Sequence, residues 1–463
     1  MSLIPSIFKA YDIRGLSPGE IDEAGVDRVS RALCQIYKPK TIVIGRDMRA
    51  TSPILTNALV EAFRSSGVSI VDIGLCSTPV FNFAMGEGGS KYDLGVMITA
   101  SHNPAKYNGL KLVEAGPLPI GQGSGMEELR DLACSAAVFE TSSTRGEYTQ
   151  DEGAIKRYID RVLERADLPK DLPPVRLAID AGNGMSGHVL PELFRRLPSI
   201  DVAKLYWELD GTFPHHEANP IKPENVKDLQ ALVRQDSFLF GVVPDGDSDR
   251  IGFVDETGEQ IPGDILTALF AQEILATHPG GRVLFDIRSS WSVPEVILEA
   301  GGVPEMCRPG HALIKRHMHE TGAVFAGELA MHYFFIDFWN CEASELALLL
   351  LLRRVIREEK PLSQIWKPLQ RYVHSGEINF TVASPVDAVK KIADQYRAEA
   401  TTISEIDGVR LEFRSKENPA GDWWFNVRPS NTEPVLRLNL EARTKEEMEK
   451  RREELTKKIL EIK

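Results

Sequence analysis

Positive charge is the scarcer sign in this chain: 54 Lys and Arg stand against 67 Asp and Glu over 463 residues, a formal net charge of −13. That balance excludes a general nucleic-acid surface or an anionic-membrane surface, both of which need a basic face. A phosphorylated partner would have to be held by a local basic pocket. Cysteine is also sparse. Five residues, Cys34, Cys76, Cys134, Cys307 and Cys341, are odd in number and scattered without metal-type spacing. Neither a disulfide framework nor a cysteine metal site is expected, and buried free thiols in a reducing cytosol are. Long apolar runs are missing too. The most apolar stretch, Leu346 to Leu352 after Ser344-Glu345, falls far short of the roughly 20 residues that span a bilayer and reads as a buried helix. No charged segment followed by a long apolar one opens the sequence. A soluble, cytoplasmic protein is expected.

What is present is enough for several cores, since 43% of the residues are hydrophobic and the length is that of a multi-domain chain. Short apolar strands run into polar or glycine turns three times: Thr41 to Ile44 before Gly45-Arg46-Asp47, Val175 to Ile179 before Asp180-Ala181-Gly182, and Val283 to Phe285 before Asp286-Ile287-Arg288. Each is followed later by another apolar strand whose exit loop carries unusual residues. These loops hold Ser101, then Asp245 to Arg250, then Gly327-Glu328-Leu329-Ala330-Met331-His332. Helical patterns such as Leu55 to Ser65 and Glu224 to Arg234 separate the strands, as in mixed α/β layers. Binding groups in open α/β sheets gather at the carboxyl ends of strands, so three such units are expected to aim their loops at a common cleft.

The C-terminal part differs. Strand-like runs Leu411 to Phe413, Trp423 to Val427 and Leu436 to Glu441 precede one terminal helix. Thr444 and Glu447 form a capping box for it, and Met448, Leu455, Ile459 and Ile462 recur at helical spacing. The expected fold is three similar mixed α/β domains plus a C-terminal α+β domain around a central cleft, with domains at 1–148, 149–255, 256–362 and 363–463. The boundaries fall in the polar stretch 140–152, near Asp255, and at Lys360-Pro361.

Two loops carry chemistry-bearing residues. Thr99-Ala100-Ser101-His102-Asn103-Pro104 follows the apolar run Leu94 to Ile98. Asn and Pro end that strand and present Ser101 to solvent. A serine hydroxyl attacks or carries a group only with support from a base, a metal or strong electrostatics. The second loop, Asp245-Gly246-Asp247-Ser248-Asp249-Arg250, follows Phe238 to Val243. Three carboxylates on one tight turn repel each other unless a hard cation sits among them, and oxygen-only ligation suits magnesium or calcium. An EF-hand calcium loop would put Glu256 at its twelfth position, but it fails at the sixth, where Arg250 replaces the required glycine. Ile251 to Val254 also reads as a returning strand. A solvated acidic turn is the plain alternative.

Together with Phe8-Lys9-Ala10-Tyr11-Asp12-Ile13-Arg14-Gly15, Gly45-Arg46-Asp47-Met48-Arg49, Lys106-Tyr107-Asn108-Gly109-Leu110-Lys111 and Arg428-Pro429-Ser430-Asn431-Thr432-Glu433-Pro434, these loops resemble the alpha-D-phosphohexomutase superfamily. Within it they resemble the bacterial-type phosphomannomutase/phosphoglucomutase group, in the family's order and over essentially the whole chain. The resemblance implies a phosphohexomutase that interconverts hexose 1-phosphate and hexose 6-phosphate, of mannose, glucose or both. It implies a phosphorylated Ser101, magnesium held by Ser101, Asp245, Asp247 and Asp249, and hexose 1,6-bisphosphate as intermediate and activator. Lys111 and His311 are the implied proton-transfer residues, with Arg14 and Arg250 as catalytic neighbours whose positive charge would depress the Lys111 pKa. Outside this context Lys111 is an ordinary surface residue and His311 an ordinary turn residue.

Arg428, Ser430, Asn431 and Thr432, with Arg437 on the next strand, match the family's phosphate-binding loop, although their spacing alone is equally that of a turn. Glu328, Tyr11 and Arg288 are the implied sugar contacts, with the loop 211–219. Here the sequence departs from the family pattern. Ala330 stands where serine is usual, Met331 where glycine is frequent and Arg288 where lysine is usual, while Pro244 and Ser248 alter the metal loop. His215-His216 reads as an exposed loop. The expected partners are small hexose phosphates, with neither nucleic acid nor membrane. Three other readings remain open: a phosphoglucosamine mutase, disfavoured by Thr99 and His332; a serine- and metal-dependent phosphomonoester hydrolase; and a sugar-phosphate-binding protein without turnover.

Overall fold

A computed structural model describes residues 3–430 and 435–462. The chain divides into two compact units, the first formed by 1–263, 311–325 and 330–365, the second by 264–310, 326–329 and 366–463.

The first unit contains two sheets. In one, the strands Thr41–Arg46, Ser69–Leu75 and Leu94–Ile98 run parallel, and Tyr107–Glu114 and Ile13–Leu16 extend the sheet antiparallel. The apolar runs explain these strands: Ile42, Ile44, Ile70, Val96 and Ile98 are all buried in one core, which also takes Val26, Val29 and Leu33 from the helix Glu23–Tyr37. Asp22 caps that helix, accepting from Gly25 N at 2.8 Å. The polar stretch 140–152 contains a strand of its own, Tyr148–Gln150, paired in parallel with Ser69–Leu75. In the other sheet, Ile200–Leu205, Val175–Asp180 and Phe240–Pro244 are parallel, and Ile251–Val254 returns antiparallel as the sequence suggests.

The two sheets present their loops in the same way. Ser101 lies in the turn between a parallel strand and its antiparallel neighbour, where Ile98 faces Leu110 and Met97 faces Lys111. The carboxylate loop occupies the equivalent turn, between paired Pro244 and Ile251. The leucine-rich stretch is the helix Ser344–Glu358, buried through Leu352, and no described helix is long and apolar enough to cross a membrane.

In the second unit Arg282–Asp286 runs parallel to Val303–Cys307. An antiparallel sheet then carries Thr402–Ser404, Val409–Phe413, Trp423–Pro429 and Val435–Ala442 in that order. Ile378–Thr381 and Val373–His374 both pair with Val435–Ala442. The terminal helix Lys445–Glu461 opens on Thr444, which accepts from Glu447 N at 3.2 Å, and buries Met448, Leu455 and Ile459. Three mixed α/β domains and a C-terminal α+β domain therefore describe the chain. All five cysteines are free thiols; Cys76, Cys307 and Cys341 are buried, Cys34 and Cys134 only partly so.

Candidate active site

In the first unit the serine and the carboxylates meet. Ser101, expected to face solvent, is instead buried; its Oγ donates to Asp245 Oδ2 at 2.8 Å and lies 3.1 Å from His102 Nδ1. The approach depends on Gly246, where a Cβ would fall 2.6 Å from the Ser101 carbonyl oxygen. Ser101 itself has φ +50°, and Ser248 and Met331 have φ +62° and +68°. A non-glycine residue in this region costs about 1–2 kcal/mol. The surrounding structure must hold it there.

Arg49 supplies much of that hold. Its buried guanidinium donates to four carbonyls of the serine loop: Ser101 at 2.8 Å, Asn103 at 2.6 Å, Pro104 at 3.0 Å and Tyr107 at 2.9 Å. Asp47 pairs with it at 3.2 Å. Gly45-Arg46-Asp47-Met48-Arg49 carried part of the resemblance in the sequence, but this clamp was not legible there, because nothing local relates residue 49 to residues 101–107.

Asp245, Asp247 and Asp249 are fully or almost fully buried, with one carboxylate oxygen from each lying within 4.8 Å of the others. Burial and the charges of Asp249 and Asp247 push the Asp245 pKa well up. Burial would raise Asp249 likewise, but Lys111 and His332 outweigh it and hold that carboxyl well below the usual range. Oxygen-only donors, with Asp247 Oδ1 and Asp249 Oδ1 both buried without a hydrogen-bond partner among the described residues, fit a hard divalent cation.

Lys111 Nζ pairs with Asp247 Oδ2 at 2.7 Å and with Asp249 Oδ2. The expected depression of its pKa by neighbouring cations is therefore corrected: burial does act to lower it, but the two carboxylates prevail and raise it. Arg14 donates to Asn103 Oδ1 at 2.9 Å and pairs with Asp12. Arg250 Nε lies 4.0 Å from Asp245 Oδ2. His311 packs edge-on against Tyr11 with ring centroids 5.8 Å apart. Burial, Lys315 and Lys111 hold its pKa well below the ordinary value, so it is neutral at neutral pH.

The sequence named His332 only as the end of the loop 327–332, not beside the carboxylates, and passed over Thr78. His332 Nε2 lies 3.2 Å from Arg250 Nε and 3.2 Å from Asp249 Oδ1, so its protonation decides which one it bonds. Thr78 Oγ1 donates to Asp247 Oδ2 at 2.6 Å. His215-His216 is only half as expected. His215 is exposed, whereas His216 is partly buried, with Nε2 2.9 Å from Asp180 Oδ2.

The second unit gathers the other predicted residues. Asp286 holds Arg288 in a two-point pair at 3.1 and 2.7 Å, and Arg288 lies 3.8 Å from Glu328, whose Oε1 accepts from Gly310 N at 2.6 Å. Arg428 and Arg437 face each other directly across neighbouring strands. Glu377, absent from the expected set, lies 3.9 Å from Arg288, 3.5 Å from Arg428 and 3.1 Å from Arg437. Ser430 N donates to Val435 O at 2.9 Å, while Asn431 and Thr432 lie outside the described residues.

Four family models match in order. They are the phosphoglucomutase/phosphomannomutase alpha/beta/alpha domains I, II and III at residues 5–132, 156–258 and 262–372, and the C-terminal domain at 377–458. A protein named for phosphohexose mutases from Xanthomonas campestris pv. campestris is 37% identical, covering 94% of this chain and 95% of that relative. The phosphomannomutase of Escherichia coli K12 is 36% identical, covering 94% of each. A crystal structure of a phosphoglucomutase/phosphomannomutase family protein from Burkholderia thailandensis superposes with a TM-score of 0.87 at 31% identity, covering 99% of this chain and 97% of that one.

Proposed function

Since this chain belongs to the phosphoglucomutase/phosphomannomutase family, we propose that it interconverts the 1-phosphates and 6-phosphates of mannose and glucose through phosphorylated Ser101 and a hexose 1,6-bisphosphate. The observation that carries this reading is the meeting of Ser101 with Asp245, beside Asp247, Asp249 and Lys111, in one buried cluster. A phosphoryl group cannot cross directly between the first and sixth carbons of one hexose, so the protein must lend one. In the proposed first half-reaction the bond from Ser101 Oγ to phosphorus breaks, a bond from the free sugar hydroxyl to phosphorus forms, and the hydroxyl proton passes to a base while the departing Ser101 Oγ takes up a proton in exchange. The bisphosphate turns round, and its other phosphoryl group returns to Ser101.

His311, neutral through burial and its lysine neighbours, and Lys111 are the proposed proton-transfer groups. Arg14 and Arg250 are proposed to stabilise charge on the transferred group. Asp245, Asp247 and Asp249 would hold magnesium, with Ser101 beside them, and the bound ion supplies positive charge against the transferring oxygens. In the second unit, Arg428, Ser430 and Arg437, with Asn431 and Thr432 from the sequence pattern, are proposed to hold the phosphate that is not being transferred. Glu328, Tyr11 and Arg288 are the proposed sugar contacts. The proposed setting is the cytosol, in keeping with five free thiols.

Phosphorus NMR on mannose 1-phosphate, glucose 1-phosphate and glucosamine 1-phosphate, with magnesium and trace hexose 1,6-bisphosphate, tests the proposal. Mannose and glucose 6-phosphates should appear without inorganic phosphate. Accumulation of inorganic phosphate without 6-phosphate identifies a hydrolase instead; turnover of glucosamine phosphate alone identifies the amino-sugar mutase.

A further inference from the structure

The strand register sets Arg428 directly opposite Arg437, an arrangement in which like charges repel. Arg288 adds a third cation close enough to bear on Arg428. Asp286 is already engaged with Arg288, and Asp407 pairs with Arg428 at 3.2 Å. Glu377 alone of the described carboxylates pairs with all three arginines. The local chain puts it there. Gly376, with φ +71°, turns the backbone just ahead of the strand Ile378–Thr381, whose Ile378 faces Leu438 and Asn379 faces Arg437. The Glu377 side chain is a quarter exposed, so its carboxylate can leave the cluster for water without itself becoming a stranded buried charge. Arg428 Nε, by contrast, is buried without a hydrogen-bond partner among the described residues.

We propose that Glu377 is the resident counter-ion of this arginine cluster, a carboxylate that occupies the place of the substrate phosphate and is displaced by it. The inference rests on the reading of the cluster as the phosphate receptor. Glu377 is thus a specificity-determining residue. It keeps the three arginines assembled while the receptor is empty, and it sets an electrostatic threshold that a dianionic phosphate ester crosses more readily than a singly charged anion.

Calorimetric titration of inorganic phosphate into the full-length chain tests this, using wild type, Glu377→Gln, Glu377→Asp and Arg428→Ala. The Gln variant keeps the shape of Glu377 without its charge. It should bind phosphate about threefold to tenfold more tightly, the equivalent of one or two partly exposed ion pairs, and its KM for hexose phosphate should fall in the same direction. It should also melt lower than wild type without phosphate and gain more from added phosphate. Glu377→Asp should return the wild-type affinity. If Glu377→Gln binds phosphate no more tightly than wild type while Arg428→Ala binds it more weakly, the role given to Glu377 is wrong and the receptor stands. If Arg428→Ala leaves phosphate affinity unaltered, the receptor itself is misassigned and the inference falls with it.

Discussion

Ser101 and Met331 both sit where side chains are disfavoured, at φ +50° and +68°, and Met331 occupies a position where the family pattern frequently has glycine. Its neighbour Ala330 leaves a methyl group where that pattern has a hydroxyl. The missing neutral hydrogen bond is worth about 0.5–1.5 kcal/mol. Ala330→Ser should therefore raise kcat/KM by roughly twofold to tenfold on both mannose and glucose 1-phosphates, and steady-state assays on the two sugars check it. Met331→Gly is the poorer test. Met331 is buried, with its Sδ 2.9 Å from where a Cβ on Gly252 would lie, so truncation forfeits about 2–5 kcal/mol of packing against about 1–2 recovered from the backbone. The Arg49 clamp gives a second residue-scale expectation. A lysine cannot serve four carbonyls with one planar fork, so Arg49→Lys should lower kcat at least tenfold, one lost charge-assisted bond, while magnesium affinity measured by calorimetry stays within twofold. Unchanged kcat would show that the serine loop holds itself.

At the scale of elements, the strands were legible where one face or both were unbroken apolar runs, as in Leu94–Ile98 and Ile251–Val254. The serine and carboxylate loops were legible for the same reason, since each interrupts such a run with polar residues. The strand Tyr148–Gln150 was not. It is short, exposed and polar, and exists because the edge of Ser69–Leu75 pairs with it. The contacts of Arg49 and His332, and Glu377 altogether, escaped for a related reason: their partners lie far away in sequence. The helix Ser344–Glu358 joins the carboxylate loop at its start, where Ser344 Oγ donates to the Ser248 carbonyl at 2.6 Å. Next to it, Tyr158 donates to Glu345 Oε2 at 2.5 Å, and burial raises the Glu345 pKa from 4.5 to about 7 despite that bond. The folded protein therefore keeps a proton that the unfolded chain releases. Stability from this group is complete below about pH 4.5 and is lost as the pH rises through about 7, a swing of roughly 3 kcal/mol. Glu345→Gln should melt higher than wild type at pH 8 and no higher at pH 5. Thermal melts at both values decide it, and an equal difference at the two would contradict the assignment.

The whole molecule divides its proposed labour between two compact units. The serine and the carboxylates belong to the first, and the arginine cluster with Glu377 to the second. Family membership and the order of the domains were legible because the signatures are local runs of residues, whereas the choice of sugar was not, because Ala330 and Met331 break the family pattern. A charge-assisted contact to phosphate is worth about 1.5–3 kcal/mol. Arg428→Ala should accordingly raise the KM for hexose phosphate by roughly one to two orders of magnitude, with magnesium affinity, set in the other unit, unchanged in calorimetry. Turnover as proposed requires Ser101 to carry the phosphoryl group. Incubation with hexose 1,6-bisphosphate labelled in phosphorus, followed by peptide mass spectrometry, measures this most directly. Label should appear on Ser101 alone and be discharged when unlabelled hexose 1-phosphate is added, with neither label nor isomerisation in Ser101→Ala. Isomerisation at the wild-type rate by Ser101→Ala, or label on another residue, would contradict it.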